Sequence, residues 1–391
     1  MRLAFVVPRY GEDILGGAET AVRHLAERLA QTGDRVEVLT TCAKSLRSWR
    51  NVYPGGMDQL NGVTVRRFPV DHTIRNEKRY WELTIKFTNR WPTTLDEEYD
   101  WVDQSAHSPE LYAHLALHAD EYDLLICAPY LFGITYYAST ICPQRTVIWP
   151  CLHDEPFARF QQTRLMLSSC RGVMYNSRPE MMLARDKLGI NHPRASIVGL
   201  GVESGGGDAS RFRARFGVVE PFMLYAGRID SMKNVLQMMT YFVEYRKRSQ
   251  DPFKLLLMGE GELPIPSHPD IAALGFLDPQ DKADAFAAAV VLCQPSLMES
   301  FSIVIMEAWL TGVPVLVHGD CDVTRHHVLR CGGGLYYSGF EEFASTLDWF
   351  RENPTARVQM GQQGQAYAQG ECDWDVVLAR FRQSADLWRS A

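Results

Sequence analysis

The segment Pro295 to Gly312 reads PSLMESFSIVIMEAWLTG, an apolar run's exit followed by a helical pattern. This places Glu299, Ser300 and Phe301 on a loop at a strand's carboxyl end, Ser302 and Ile303 in the first helical turn and Glu307 further along the helix. A carboxylate on such a loop accepts protons from hydroxyls, and the free backbone N–H groups of the helix start suit an anion. A ligand carrying both hydroxyls and phosphates fits. Spacing alone is weak evidence, since Glu19 and Glu27 repeat the same separation.

Upstream, Tyr225 to Asn234 reads YAGRIDSMKN after another apolar run. Arg228 and Lys233 there can neutralise a diphosphate as two fixed cations. Singly, each is an ordinary surface residue. Their weight comes from preceding the glutamate segment within one domain. His153, in WPCLHDEP, follows the apolar run Thr146 to Trp149. Other combinations are set aside. Asp320 and Asp322 make a D-x-D, but after a strand in the second half, where shaping a loop is the better reading than holding a metal. MGEGELP lacks the last glycine of a dinucleotide fingerprint, and Glu260 and Glu262 would repel a pyrophosphate. His326, His327, Cys321 and Cys331 have no zinc spacing and read as structural. No metal site is expected.

These segments need strands to hold them. Apolar runs alternate with helical patterns along the whole chain, the signature of parallel βαβ units in doubly covered sheets. Expected strands in the first half are 3–7, 36–40, 63–68, 124–127, 146–149, 173–175 and 196–198. The rhythm restarts with 222–226, 254–258, 271–273, 290–294, 313–317 and 335–337. The expected architecture is an N-terminal Rossmann-like domain at 1–200, a Gly-rich linker at 201–217 and a second domain at 218–372. The two would face each other across a cleft, with ligands at the carboxyl ends of the strands.

Composition narrows the classes. The chain has 391 residues, 46% hydrophobic and 22% charged, which excludes a disordered or small single-module protein. Its net charge of −7 argues against nucleic acid as partner. Nine cysteines, an odd number without a C-x-x-C, read as reduced core thiols and a cytoplasmic chain. No apolar run reaches the ~18 residues of a membrane span, and the N-terminal run is too short for a signal peptide. Residues 44–90 hold ten Lys/Arg against four acids, interleaved with aromatics, while 92–123 hold nine acids and no Lys or Arg. These read either as two solvated faces or as a basic surface for anionic lipid or a phosphorylated acceptor.

Together, GR-x4-K in YAGRIDSMK, MGEGE at 258–262, E-x7-E in ESFSIVIME and GGAE at 16–19 strongly resemble family 4 retaining glycosyltransferases of the GT-B fold. The resemblance covers nearly the whole chain, and ECDWDVVLARFRQSADLW looks like the family's terminal helix, here about 373–391, returning to brace the first domain.

The resemblance implies a hexosyltransferase using a nucleotide sugar, with no cofactor beyond that co-substrate. Arg228 and Lys233, after the Gly227 turn, would hold the donor diphosphate. Glu307 would hold the ribose, and Glu299 a hydroxyl of the donor sugar rather than act as a covalent nucleophile. The backbone of Ser300, Phe301, Ser302 and Ile303 would complete the pocket. Gly259 would lie under the nucleoside and Phe276 near the base. Gly16 and Gly17 would let backbone approach a phosphate or acceptor closely, and His153 would lie near the transferred sugar. The acceptor would be a carbohydrate or lipid-linked. The regions 72–118 and GDCDVTRHHVLRCGGGLYY depart from the common pattern and leave the substrates open. A 2-epimerase on the same fold, or a binding subunit without turnover, are the alternatives.

Overall fold

Strands buried on both faces need helices above and below them, and the computed structural model has this arrangement twice. It describes residues 1–14, 16–203, 205–249 and 251–390. One compact unit comprises Met1–Gly201 with Val377–Ala391, the other Val202–Val376.

The first unit's strands are β1 (Arg2–Val6), β2 (Arg35–Thr41), β3 (Gly56–Leu60), β4 (Val63–Phe68), β5 (Leu124–Cys127), β6 (Thr146–Ile148), β7 (Gly172–Tyr175) and β8 (Ala195–Ile197). They form one sheet in the order β3-β4-β2-β1-β5-β6-β7-β8. Pairing is parallel except for β3, which runs antiparallel to β4. β3 is absent from the expected strands because GMDQL is polar and carries no apolar alternation. Asn61-Gly62, at φ 50° and 85°, closes its hairpin and is the signal the sequence does offer.

The second unit contains β9 (Phe222–Ala226), β10 (Lys254–Met258), β11 (Ile271–Gly275), β12 (Val291–Gln294), β13 (Val315–His318) and β14 (Gly334–Tyr337), ordered β11-β10-β9-β12-β13-β14. The chain winds outward from β9 to β11, then restarts beside β9 at β12. That reversal is the topological switch point, where the loops after two adjacent strands diverge and leave a crevice.

One expectation is corrected. The segment 201–217 is not an open linker: residues Ala209–Phe216 form a helix of the second unit, capped by Asp208 and ended by Gly217 at φ 65°. Its Phe212 is buried against Phe222, and Arg215 meets Asp281 at 2.8 Å. The opposed charge runs touch at two ion pairs. Arg79 pairs with Asp100 at 2.7 Å and Lys86 with Glu97 at 2.6 Å, while Arg66 and Lys44 take Glu37 and Asp13. Ser204, within the expected linker, and Ala391, at the end of the expected returning helix, lie outside the described residues.

The last helix, Trp374–Arg389, buries Trp388 on Gly172, where any side chain would overlap the indole. The Trp388 Nε1–H donates to Arg194 O at 3.0 Å, and Arg382 reaches Asp34 at 3.1 Å. In the second unit the helix Ile303–Leu310 is held by Trp309, which is fully buried and donates to Gly333 O at 2.7 Å. Gly364, on the crossing helix Pro354–Cys372, lies so close to that indole that a Cβ would overlap it. Packing of this kind fixes how far Glu307 is advanced along its helix. The nine cysteines are free thiols, mostly buried.

Candidate functional site

The loops after β9 and β12 flank the switch point, and the chemistry-bearing residues of the second unit lie on them. After β9, the hydroxyl of buried Tyr225 donates to Arg228 O at 2.6 Å, fixing the backbone while the guanidinium stays 69% exposed. Asp230 accepts the Lys233 N–H at 2.9 Å and stands 3.4 Å from the Arg228 guanidinium, so one carboxylate organises both cations. Asn234 adopts φ 56°, a conformation asparagine tolerates, and its amide donates to Pro295 O at 3.1 Å. That bond joins the two loops.

After β12, Glu299 is nearly buried and its Oε1 lies 2.7 Å from Lys233 Nζ. Gln294, the last residue of β12, places its amide nitrogen 3.5 Å from Glu299 Oε1 and 3.4 Å from Ser302 Oγ. Ser302 does not join the first turn as expected; it precedes the helix at φ 73°. A non-glycine residue held there costs of order 1–3 kcal/mol and marks a backbone constrained by its surroundings. Ser300 and Ile303 flank this turn, half-buried. The Phe301 side chain faces the core, 5.4 Å from the ring of His327, so only its backbone is available to a ligand. Glu307 meets Lys282 Nζ at 2.6 Å.

Gly227, Gly259 and Gly261 have a structural duty. Gly227 N–H donates to Met258 O, Ile229 N–H to Glu260 O, and a Cβ on Gly259 would overlap Gly227 O. The loops after β9 and β10 are therefore packed backbone to backbone, and Gly259 at φ 124° is required for that contact. Phe276, after β11, is 62% exposed.

In the first unit, Gly16 and Gly17 open the helix Gly17–Gln31 at the loop after β1, itself at the β1/β5 switch point. Arg9 donates to Glu19 at 3.1 Å, and this buried pair lies against Gly16, leaving no room there for a side chain. Gly17 faces open space. His153 lies on the loop after β6, half-exposed, with Nδ1 3.5 Å from Glu155 Oε1. The Glu155 carboxylate is held by the Tyr130 hydroxyl at 2.7 Å. Asp320 is 72% exposed and Asp322 pairs with Arg325 at 3.0 Å.

Comparison with known proteins bears on the fold and on the class of activity. Residues 208–367 match the family model for glycosyl transferases group 1. The chain is 24% identical, over 95% of its length and 91% of the relative's, to a D-inositol 3-phosphate glycosyltransferase of Kribbella flavida. It is 31% identical, over 41% of its length and 44% of the relative's, to a phosphatidyl-myo-inositol mannosyltransferase of Mycobacterium leprae. Among solved structures, sucrose-phosphate synthase from Thermosynechococcus elongatus superposes with a TM-score of 0.76 at 17% identity, covering 100% of both chains. Anabaena HepE, solved with UDP and glucose, gives 0.71 at 18% identity, again over 100% of both. The matched domain and the fold together make the chain a glycosyltransferase with the GT-B fold.

Three residues of this glycosyltransferase's candidate site escape sequence reasoning. Lys282 comes from the helix Pro279–Ala288, and nothing in its neighbourhood points to Glu307. Gln294 carries a signal, a polar side chain ending an otherwise apolar strand. Asn234 carries one too, since asparagine visits αL backbone more readily than most side-chain-bearing residues.

Proposed function

We propose that this glycosyltransferase moves a hexose from a nucleoside diphosphate sugar to a carbohydrate or lipid-linked acceptor, with retention and without a metal ion. The observation that carries the reading is the meeting of Lys233 and Glu299 at the β9/β12 switch point, beside Arg228. Breaking a glycosyl phosphate bond leaves negative charge on the departing oxygens, and fixed cations stabilise that charge in the transition state. Arg228 and Lys233 take this role, Glu299 a sugar hydroxyl and Glu307 the ribose. The backbone of Ser300 to Ile303 closes the pocket, with the Gly227 turn ahead of Arg228, Gly259 beneath the nucleoside and Phe276 by the base. In the first unit, His153 is assigned to the transferred sugar, and Gly16 and Gly17 to a phosphate or the acceptor. The departing phosphate accepts the acceptor's proton on the face it leaves, giving retention. The structures of HepE with UDP and glucose and with UDP-glucose support a nucleotide sugar as donor.

Thermal shift with UDP, GDP and ADP, then with their sugars, tests the donor. A nucleotide at a hundred times its Kd adds about 2.7 kcal/mol of stability. Melting points unmoved by all of them reject the donor reading. Binding of a donor without release of nucleotide on any acceptor favours a binding subunit, and epimerised donor favours the 2-epimerase.

The reading places the enzyme in the cytoplasm, consistent with its buried free thiols, with peripheral contact to anionic membrane through 44–90. Trp81 and Ile85, 43% and 52% exposed, supply apolar surface there. Among the described residues no helix is long and apolar enough to cross a membrane. Sedimentation with anionic liposomes that weakens as salt rises is the expected result; no association at low salt discards the contact.

A further inference from the structure

Glu180 is fully buried in the first unit, and both of its carboxylate oxygens take backbone donors. Oε1 accepts the Leu152 N–H at 2.6 Å and Oε2 the Asn176 N–H at 2.6 Å. The side chain thus bridges the loops that leave β6 and β7, two neighbouring strands of the sheet. Asn176 extends the bridge: its Oδ1 accepts the Trp149 indole N–H at 2.6 Å and its amide reaches Cys151 Sγ at 3.5 Å. The bridge therefore converges on residues 149–152, directly ahead of His153.

Within that turn Cys151 holds φ 54°, the left-handed region that a side-chain-bearing residue avoids. Such a conformation persists only when its surroundings over-determine it. Here the peptide after Cys151 is the one whose N–H Glu180 accepts. Beyond it, Glu155 N–H closes on His153 O at 2.9 Å, so His153 is carried on a turn tethered at both ends. Burial pushes the Glu180 carboxyl up to about 8, while the backbone donors pull it back. A carboxyl buried at this cost and held by backbone donors rather than by a cation has a use elsewhere than in charge pairing.

We infer that Glu180 is a positioning residue for His153, holding Cys151 left-handed through the Leu152 peptide and so setting where the imidazole points. Its catalytic consequence rests on the role proposed for His153; its geometric content does not.

The test uses Glu180→Gln and Glu180→Asp. In the amide variant one backbone N–H faces an NH2 donor and the turn is released. The ring signal of His153 in a 1H–13C spectrum, assigned by its loss in His153→Ala, is expected to move in Glu180→Gln. UDP release from UDP-glucose should fall by up to about a hundredfold, as small misplacements of a reacting group do, with KM for UDP-glucose nearly unchanged. Adding Cys151→Gly, which accepts left-handed backbone without strain, should recover part of both. A merely structural Glu180 would give a lower melting point that Cys151→Gly does not correct. A folded Glu180→Gln whose His153 signal stays in place overturns the inference, and if that variant does not fold, Glu180→Asp is judged by the same signal. Full UDP release by His153→Ala defeats the proposed role of His153 and leaves the ring signal to decide on Glu180.

Discussion

Lys233 and Glu299, 66 positions apart in sequence, meet at 2.7 Å because the strands they follow, β9 and β12, are neighbours where the sheet order reverses. The pair is largely withdrawn from water, with 25% and 10% of the side chains exposed. A buried pair contributes little net stability, yet each partner is costly to strand alone.

Lys233→Ala or Arg228→Ala should therefore lower turnover by about two orders of magnitude or more, the usual loss of a charged transition-state contact. UDP release from UDP-glucose measures it. Activity within about threefold of wild type in both variants would remove these cations from the mechanism, since a true contact is worth far more.

Glu307→Gln should weaken UDP binding about tenfold, the worth of one hydrogen bond to a charged group. It also breaks the contact with Lys282. Isothermal titration decides, and an unchanged Kd takes Glu307 out of ribose recognition.

Gly364→Ala should destabilise the second unit by about 1–3 kcal/mol, because the added methyl overlaps the Trp309 indole in a packed core. The displaced helix carries Glu307, so UDP affinity should drop with stability. Urea unfolding and titration on the same variant test both; wild-type values in the two would show that the helix contact tolerates the methyl.

His327 sets an acid limb. Burial, with His326 and Arg330 nearby, lowers its pKa to about 3. The unfolded imidazole binds its proton near pH 6.5, so between these values the unfolded chain holds more protons. The stability contributed by this group is complete above about pH 6.5 and is lost as pH falls toward 3, by about 2 kcal/mol at pH 5. His327→Gln should flatten that limb in urea midpoints at pH 7 and 5. An equally steep limb in the variant assigns it to other groups.

Several site features are legible in residue type and spacing alone. Glu299, Arg228 and Lys233 announce themselves because strand-to-helix loops are local, and their residue types are readable within about ten positions. The strand Phe222–Ala226, the strand Lys254–Met258 and the helix Gly17–Gln31 likewise follow from apolar periodicity. The edge strand β3 does not, because neither of its faces is buried and its pairing is set by the Asn61-Gly62 turn. The helix Ala209–Phe216 is hidden by the glycines before it, although Asp208 and Gly217 are its proper caps.

What the sequence by itself determined is the list of chemical groups and the strand ends that carry them, since both are encoded in short windows of residue type and spacing. Only the tertiary structure decided which groups meet. Lys282 reaches Glu307, Asn234 ties its loop to Pro295, Glu180 grips the turn before His153, and the cations of 44–90 find acids from other segments. The physical reason is that such contacts depend on sheet order and helix packing, which sum many weak, long-range burial terms that no local window contains.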